Sequence, residues 1–295
     1  MGLIVGLFSA LLCVIVYVRM YRKDLPVPIG KGKAALPAVL GVFSPYLSGL
    51  FLALTGLVMT KLLGRPMSEL VHSMVIRSLA ASFFSAGFPE EITKFLVFLL
   101  VILIVKPGNV YEYGMLCAGV GLGFTALEEA MYGGGNLLVA VTRIPTFALH
   151  MVFGVIMGTR FGLAKNDRLM GRSGAKNTAL SLILPILFHT VFDASNTANM
   201  ALRSDDTSIQ ATGVAVALAV MVISLILQFR ILSRFMKRSE YYCGIPTAAV
   251  PETEDTPGKL NDRRPERGRS IADRPPVILH LIPRRGAILR PPPPG

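Results

Sequence analysis

Nine residues carry the chemistry open to this chain. Glu90, Glu91 and Lys94 form a Glu-Glu-x-x-Lys block that leads into the apolar run Phe95 to Val105. Phe124, Glu128 and Glu129 close a second apolar stretch, His150 stands inside a third, and His189 and Asp193 share a fourth. A hydrocarbon core penalises ionisable groups by roughly 2.5–3.5 kcal/mol each on insertion scales, so acids and imidazoles that recur there point to a polar site between helices.

Each group also has a plainer reading. Pro89 followed by two acids is ordinary helix-start chemistry, whereas a functional Glu90 or Glu91 would act as general base on a water. Lys94, one turn away from both, would hold that base ionised. Glu128 lies close to the end of its apolar stretch, where a carboxylate opposes the helix dipole, so local helix energetics do not explain it. Glu129 has a weaker claim and can simply face the interface. A lone histidine such as His150 is often a packing residue with one hydrogen bond. His189 and Asp193 fall on one face a turn apart, which suits orienting an imidazole or supplying two metal ligands. Arg77 is expected to snorkel or to balance the acidic cluster. His72 and His280 fit no pattern.

The elements that must position these groups are membrane helices. The 295 residues are 52% hydrophobic and 16% charged, against about 25% charged in an average soluble domain. The fold expected is all-α, a polytopic transmembrane helix bundle of about eight spans followed by a disordered tail. A span needs ~20 apolar residues, and the candidates are 2–18, 36–59, 68–88, 90–106, 111–131, 141–163, 177–199 and 209–232. The first is read as a retained span, because no basic residue precedes it and no cleavage site follows. The division is a helical domain over 1–235 and a Pro/Arg-rich cytoplasmic tail over 236–295, too poor in apolar residues to fold alone. The net charge of +12 sets topology and suits anionic lipid better than nucleic acid. Cys13, Cys117 and Cys243 form no disulfide or metal pattern.

Eight spans with a cytoplasmic tail leave one conflict: Arg19, Arg22, Lys23, Lys31 and Lys33 would face outward, against the positive-inside rule. A misread span among the first three would remove it. Alternating span direction brings Glu90, Glu91, Glu128, His150, His189 and Asp193 to similar depth in the outer leaflet. Gly119, Gly121 and Gly123 are read as close-approach positions between helices. No His-Glu-x-x-His zinc helix, Gly-x-Ser-x-Gly elbow, Gly-x-Gly-Asp pair or phosphate-binding loop occurs.

In order, EExxK at 90–94, FxxxE at 124–128, His150 and HxxxD at 189–193 resemble the PrsW family of membrane proteases. That family is similar to the CAAX-prenyl and bacteriocin-processing proteases, whose motifs run Glu-Glu, Phe-x-x-x-His and His-x-x-x-Asn. The resemblance covers about 88–196 and departs at Glu129, where the family usually has asparagine. It implies proteolysis at a bacterial-type plasma membrane, with a membrane protein or peptide as substrate. The family's named member makes the first, extracytoplasmic cut in an anti-sigma factor. On this reading Glu90 or Glu91 activates water. His150 and His189 stabilise the oxyanion or protonate the leaving amine, and Asp193 orients His189. A divalent metal such as Zn²⁺ would draw its ligands from Glu91, Glu128, His150, His189 and Asp193; a metal-free glutamate mechanism would use the same residues. Two rivals stand beside it. One is a proton- or ion-coupled transporter. The other is a non-catalytic scaffold whose tail binds anionic lipid or a cytoplasmic partner.

Overall fold

Alternate glycines let one helix sit at the centre of the bundle. In the computed structural model, which describes residues 2–24, 29–63, 73–132, 146–196 and 206–248, that helix is Val110–Tyr132. Its most apolar window is 89% buried, against 11% for Thr207–Lys237. A Cβ on Gly119 would press on Pro37 and Tyr17, and one on Gly123 would overlap the Ala38 carbonyl. One on Gly121, between them, would overlap the His150 carbonyl on the opposite side. The glycines therefore admit neighbours on two faces at once.

The helices are α1 Gly2–Tyr21, α2 Lys31–Gly41, α3 Ser44–Leu63, α4 Met74–Ser82 and α5 Phe88–Val105. The central helix is α6, followed by α7 Leu149–Leu169, α8 Ala175–Asn196, α9 Thr207–Lys237 and the short α10 Ser239–Cys243. No strand forms among the described residues, so the all-α expectation holds. By length and composition, four described segments can cross a membrane: Lys31–Leu54, Val110–Met131, Ala175–Ser195 and Thr207–Lys237.

Two of the expected spans are one helix. α4 passes through a π-helical segment, Phe83–Gly87, directly into α5. The boundary drawn at Pro89 is thus a helix interior, and the count of eight is not reached among the described residues. Proline has no N–H and crowds the carbonyl four residues earlier. Here the wider turn absorbs both effects: the Phe88 N–H donates to the Phe83 carbonyl, five residues back. Residues 64–72, where the third span was expected to begin, lie outside the described residues, as do 133–145 at the start of the sixth.

Merging those spans also removes the charge conflict. The Tyr111 hydroxyl donates to the Met20 carbonyl over 2.9 Å, and the Val110 N–H donates to the Ile245 carbonyl over 3.1 Å. The Asn166 amide donates to the Pro246 carbonyl over 2.8 Å. These bonds gather the end of α1, the start of α6, the end of α7 and the residues after α9 at one end of the bundle. Arg19, Lys106, Arg168 and Lys237 all belong to that basic end. Residues 239–247 fold back onto this end, within a compact unit that spans Met1–Ala249.

Candidate active site

The site lies in the opposite half of the bundle, where α5, α6, α7 and α8 converge. Glycines bring α7 against α6: a Cβ on Gly154 would overlap the Cys117 carbonyl and one on Gly158 the Tyr113 carbonyl. With Gly121 against His150, these contacts fix the His150 backbone directly beside α6, two turns before Glu128. Across the site, a Cβ on Gly87 would overlap the Thr190 hydroxyl. The π-segment and Gly87 thus seat α8 against the start of α5, which sets His189 opposite Glu91. π-turns inside α-helices are frequent at functional sites.

Lys94 is the hub. Its Nζ donates to Glu91 Oε1 at 2.7 Å and to His150 Nδ1 at 2.9 Å. It stands 3.5 Å from Glu90 Oε2 and 3.8 Å above the Phe124 ring centre, a cation–π contact. An ammonium can only donate, so His150 Nδ1 accepts and the His150 proton resides on Nε2. From there it is donated to Glu128 Oε2, 2.7 Å away. His189 is held at both ring nitrogens: Nδ1 donates to Glu91 Oε1 at 2.8 Å, and Nε2 faces Asp193 Oδ2 at 3.4 Å and Glu90 Oε2 at 3.7 Å. The two imidazoles pack edge to face with centres 5.2 Å apart, and Phe153 stacks on His189. Glu91, Lys94 and His189 are buried.

Eight of the nine residues singled out in the sequence meet here. The exception is Glu129, which turns toward α1 and lies close to Cys13; one residue along a helix is a rotation of about 100°. Arg77 does not balance the acids, because it precedes Glu90 by about 20 Å of helix. Phe153 and Thr190 were not read from the sequence. The Gly154, Gly158, Gly162 spacing was visible there as a small-residue row on one helix face.

The cluster suits a divalent cation. Four carboxylates (Glu90, Glu91, Glu128, Asp193) face a single lysine in an apolar bundle, a charge imbalance that favours a cation. Glu91 Oε2 is buried without a hydrogen-bond partner. Glu90, His150 and His189 present ligand atoms all within 4.8 Å of one another, the two-imidazole, one-carboxylate set of many catalytic zinc sites. Glu90 is the carboxylate within this reach of both histidines, while Glu91 Oε1 is taken up by Lys94 and His189. A carboxylate behind the Nδ1 of a ligating histidine is the usual outer-shell arrangement.

Apolar helices around a carboxylate–imidazole–ammonium centre define a helical membrane protein with a buried polar site. The chain belongs to the PrsW family of intramembrane metalloproteases, whose model matches residues 37–227. It is similar to Protease PrsW of Bacillus subtilis, 35% identical over 126 residues, which is 41% of this chain and 56% of that protein. Protease PrsW of Halalkalibacterium halodurans is 29% identical over 129 residues, 42% of this chain and 58% of its own length. The chain thus spans a little over half the length of the curated relatives it matches. No solved structure matches it.

Proposed function

We propose that this chain is a membrane-embedded peptidase that hydrolyses peptide bonds of membrane-anchored proteins at the α5–α8 cluster. The observation that carries the reading is the pair of histidines around Glu90, each fixed by its own carboxylate. Such an arrangement sets two oriented imidazoles beside one carboxylate, a set that suits a hydrolytic metal. With the basic end cytoplasmic, the site lies in the outer half of the bilayer. A cut there fits a regulator anchored by a single span, and an anti-sigma factor is the case that the family resemblance suggests.

Glu90, His150 and His189 would hold the metal, and Zn²⁺ bound there would lower the pKa of a bound water to about 7 and polarise the scissile carbonyl. The chain's own residues do the rest. Glu128, held by the His150 Nε2–H and outside the metal set, accepts a proton from the attacking water and passes it to the leaving nitrogen. Asp193 orients His189 from one side and Glu91 from the other. Lys94 keeps Glu91 ionised and, without metal, occupies the His150 Nδ1 that the metal would take up. The enclosing apolar helices exclude bulk water, which strengthens each of these interactions.

The test is cleavage of a single-span reporter by the full chain in proteoliposomes, before and after chelation. The expected result is cleavage that chelation abolishes and stoichiometric Zn²⁺ restores. Absence of cleavage by the metal-loaded chain refutes the peptidase reading; cleavage that survives complete metal removal refutes the metal assignment.

A further inference from the structure

At the basic end, remote from the catalytic cluster, a cavity of about 500 Å³ opens between α7, α8 and α9. Arg160, Arg234 and Arg238 line it, with Leu184 and Ile231 as apolar wall. Among the described residues no acidic side chain lines it, Arg160 donates to the neutral Asn177 carbonyl at 3.3 Å and has no ion-pair partner, and Arg234 and Arg238 have none either. Three cations therefore converge on one space. The wall continues into the exposed apolar faces of α8 and α9, where Leu187 and Leu227 are 52% and 40% exposed, so the cavity mouth meets acyl chains.

A ligand for this cavity needs a phosphate at one end and a hydrocarbon body at the other. We propose that it is a binding site for an anionic phospholipid of the inner leaflet. The headgroup phosphate lies among Arg160, Arg234 and Arg238. An acyl chain runs along Leu184 and Ile231. Basic pockets between membrane helices on the cytoplasmic side suit such headgroups, and the planar guanidinium fork suits phosphate. The bound lipid bridges α7, α8 and α9, and α8 carries His189, so occupancy stabilises the helix pair that holds half of the catalytic cluster.

Native mass spectrometry of the full chain tests this, with phosphatidylglycerol and phosphatidylcholine of identical chains as probes. The wild type is expected to retain one phosphatidylglycerol with roughly tenfold or greater preference over phosphatidylcholine. Millimolar inorganic phosphate should not displace it. Arg234→Gln with Arg238→Gln, both exposed positions, should abolish the preference, and Ile231→Trp should reduce retention without changing charge. Lys31→Gln with Lys33→Gln, an equal charge loss outside the cavity, should leave the preference intact. Equal retention of the two lipids by wild type overturns the site. So does an equal loss in the lysine control, or displacement by phosphate, which would assign the cavity to a free anion.

Discussion

Two helix contacts meet at the catalytic cluster, and they are built from opposite materials. Where α6 meets α7 the contact is backbone on backbone, made possible by Gly121, Gly154 and Gly158. Where α5 meets α8 it is a charged network, Lys94 to Glu91 to His189, at 2.7 and 2.8 Å. The first contact fixes His150 by steric exclusion and is indifferent to protonation or metal. The second fixes His189 by charge, so it responds to both. One half of the site is a rigid platform and the other an adjustable one.

The comparison makes graded predictions. Glu91→Ala strips the buried Lys94 of its nearest acid and leaves the longer 3.5 Å contact to Glu90, and breaking a buried pair in this way costs about 3–5 kcal/mol. The loss should be read as a fall in thermal midpoint and folded yield, and adding Lys94→Met should recover much of it. A double variant as unstable as the sum of the singles would deny the coupling. Gly121→Leu should cost about 3 kcal/mol or more, since its new side chain meets backbone that cannot move aside. No change to a charged residue should rescue it, and a Gly121→Leu protein of normal stability would show that α6 and α7 are not locked.

Smaller effects lie toward the rim. Asp193 is 31% exposed and 3.4 Å from His189 Nε2, while Glu91 already fixes the ring from Nδ1. Asp193→Asn should lower kcat for the reporter by about tenfold and leave the thermal midpoint within a degree or two. The smallest effect belongs to Asp206, the N-cap of α9, far from either contact. Ser208 donates to it from hydroxyl and backbone N–H, which holds its carboxyl below the usual carboxylate range. A depressed carboxylate stabilises the helix start above that range, and the effect is lost as pH falls through the folded value. Amide exchange at Ser208 and Ile209 should quicken in Asp206→Ala, and acidification of the wild type should lower the protection of the same amides relative to their intrinsic exchange rate at each pH.

Much of the site was legible because ionisable groups are costly in apolar runs and seldom lie there idle. Glu90, Glu91, Glu128, His150, His189 and Asp193 each stand out for that reason. What the sequence hid was direction. Pro89 before two acids reads as a helix start, and only the π-turn, a tertiary accommodation to α8 at Gly87, makes it a helix interior. The consequence is wide: splitting one helix into two spans reverses the sidedness of everything before it and leaves five basic residues on the wrong face. Likewise Glu128 and Glu129 are neighbours in sequence, but rotation about the helix sends one to His150 and the other toward Cys13. Which glutamate joins the histidines also depends on packing. Lys94 reaches both, yet it bonds Glu91 at 2.7 Å and stands 3.5 Å from Glu90, which leaves Glu90 for the imidazoles.

The central claim is that Glu90 and His189 are hydrolytic groups while Lys94 and Glu91 position them. It is tested most directly by reporter cleavage in proteoliposomes by wild type, Glu90→Gln and His189→Ala, each with its metal content measured alongside. The account predicts losses of about 10²-fold or more in kcat for both variants, reduced bound metal, and an unchanged fold as judged by helical content. Either variant cleaving at the wild-type rate would contradict it.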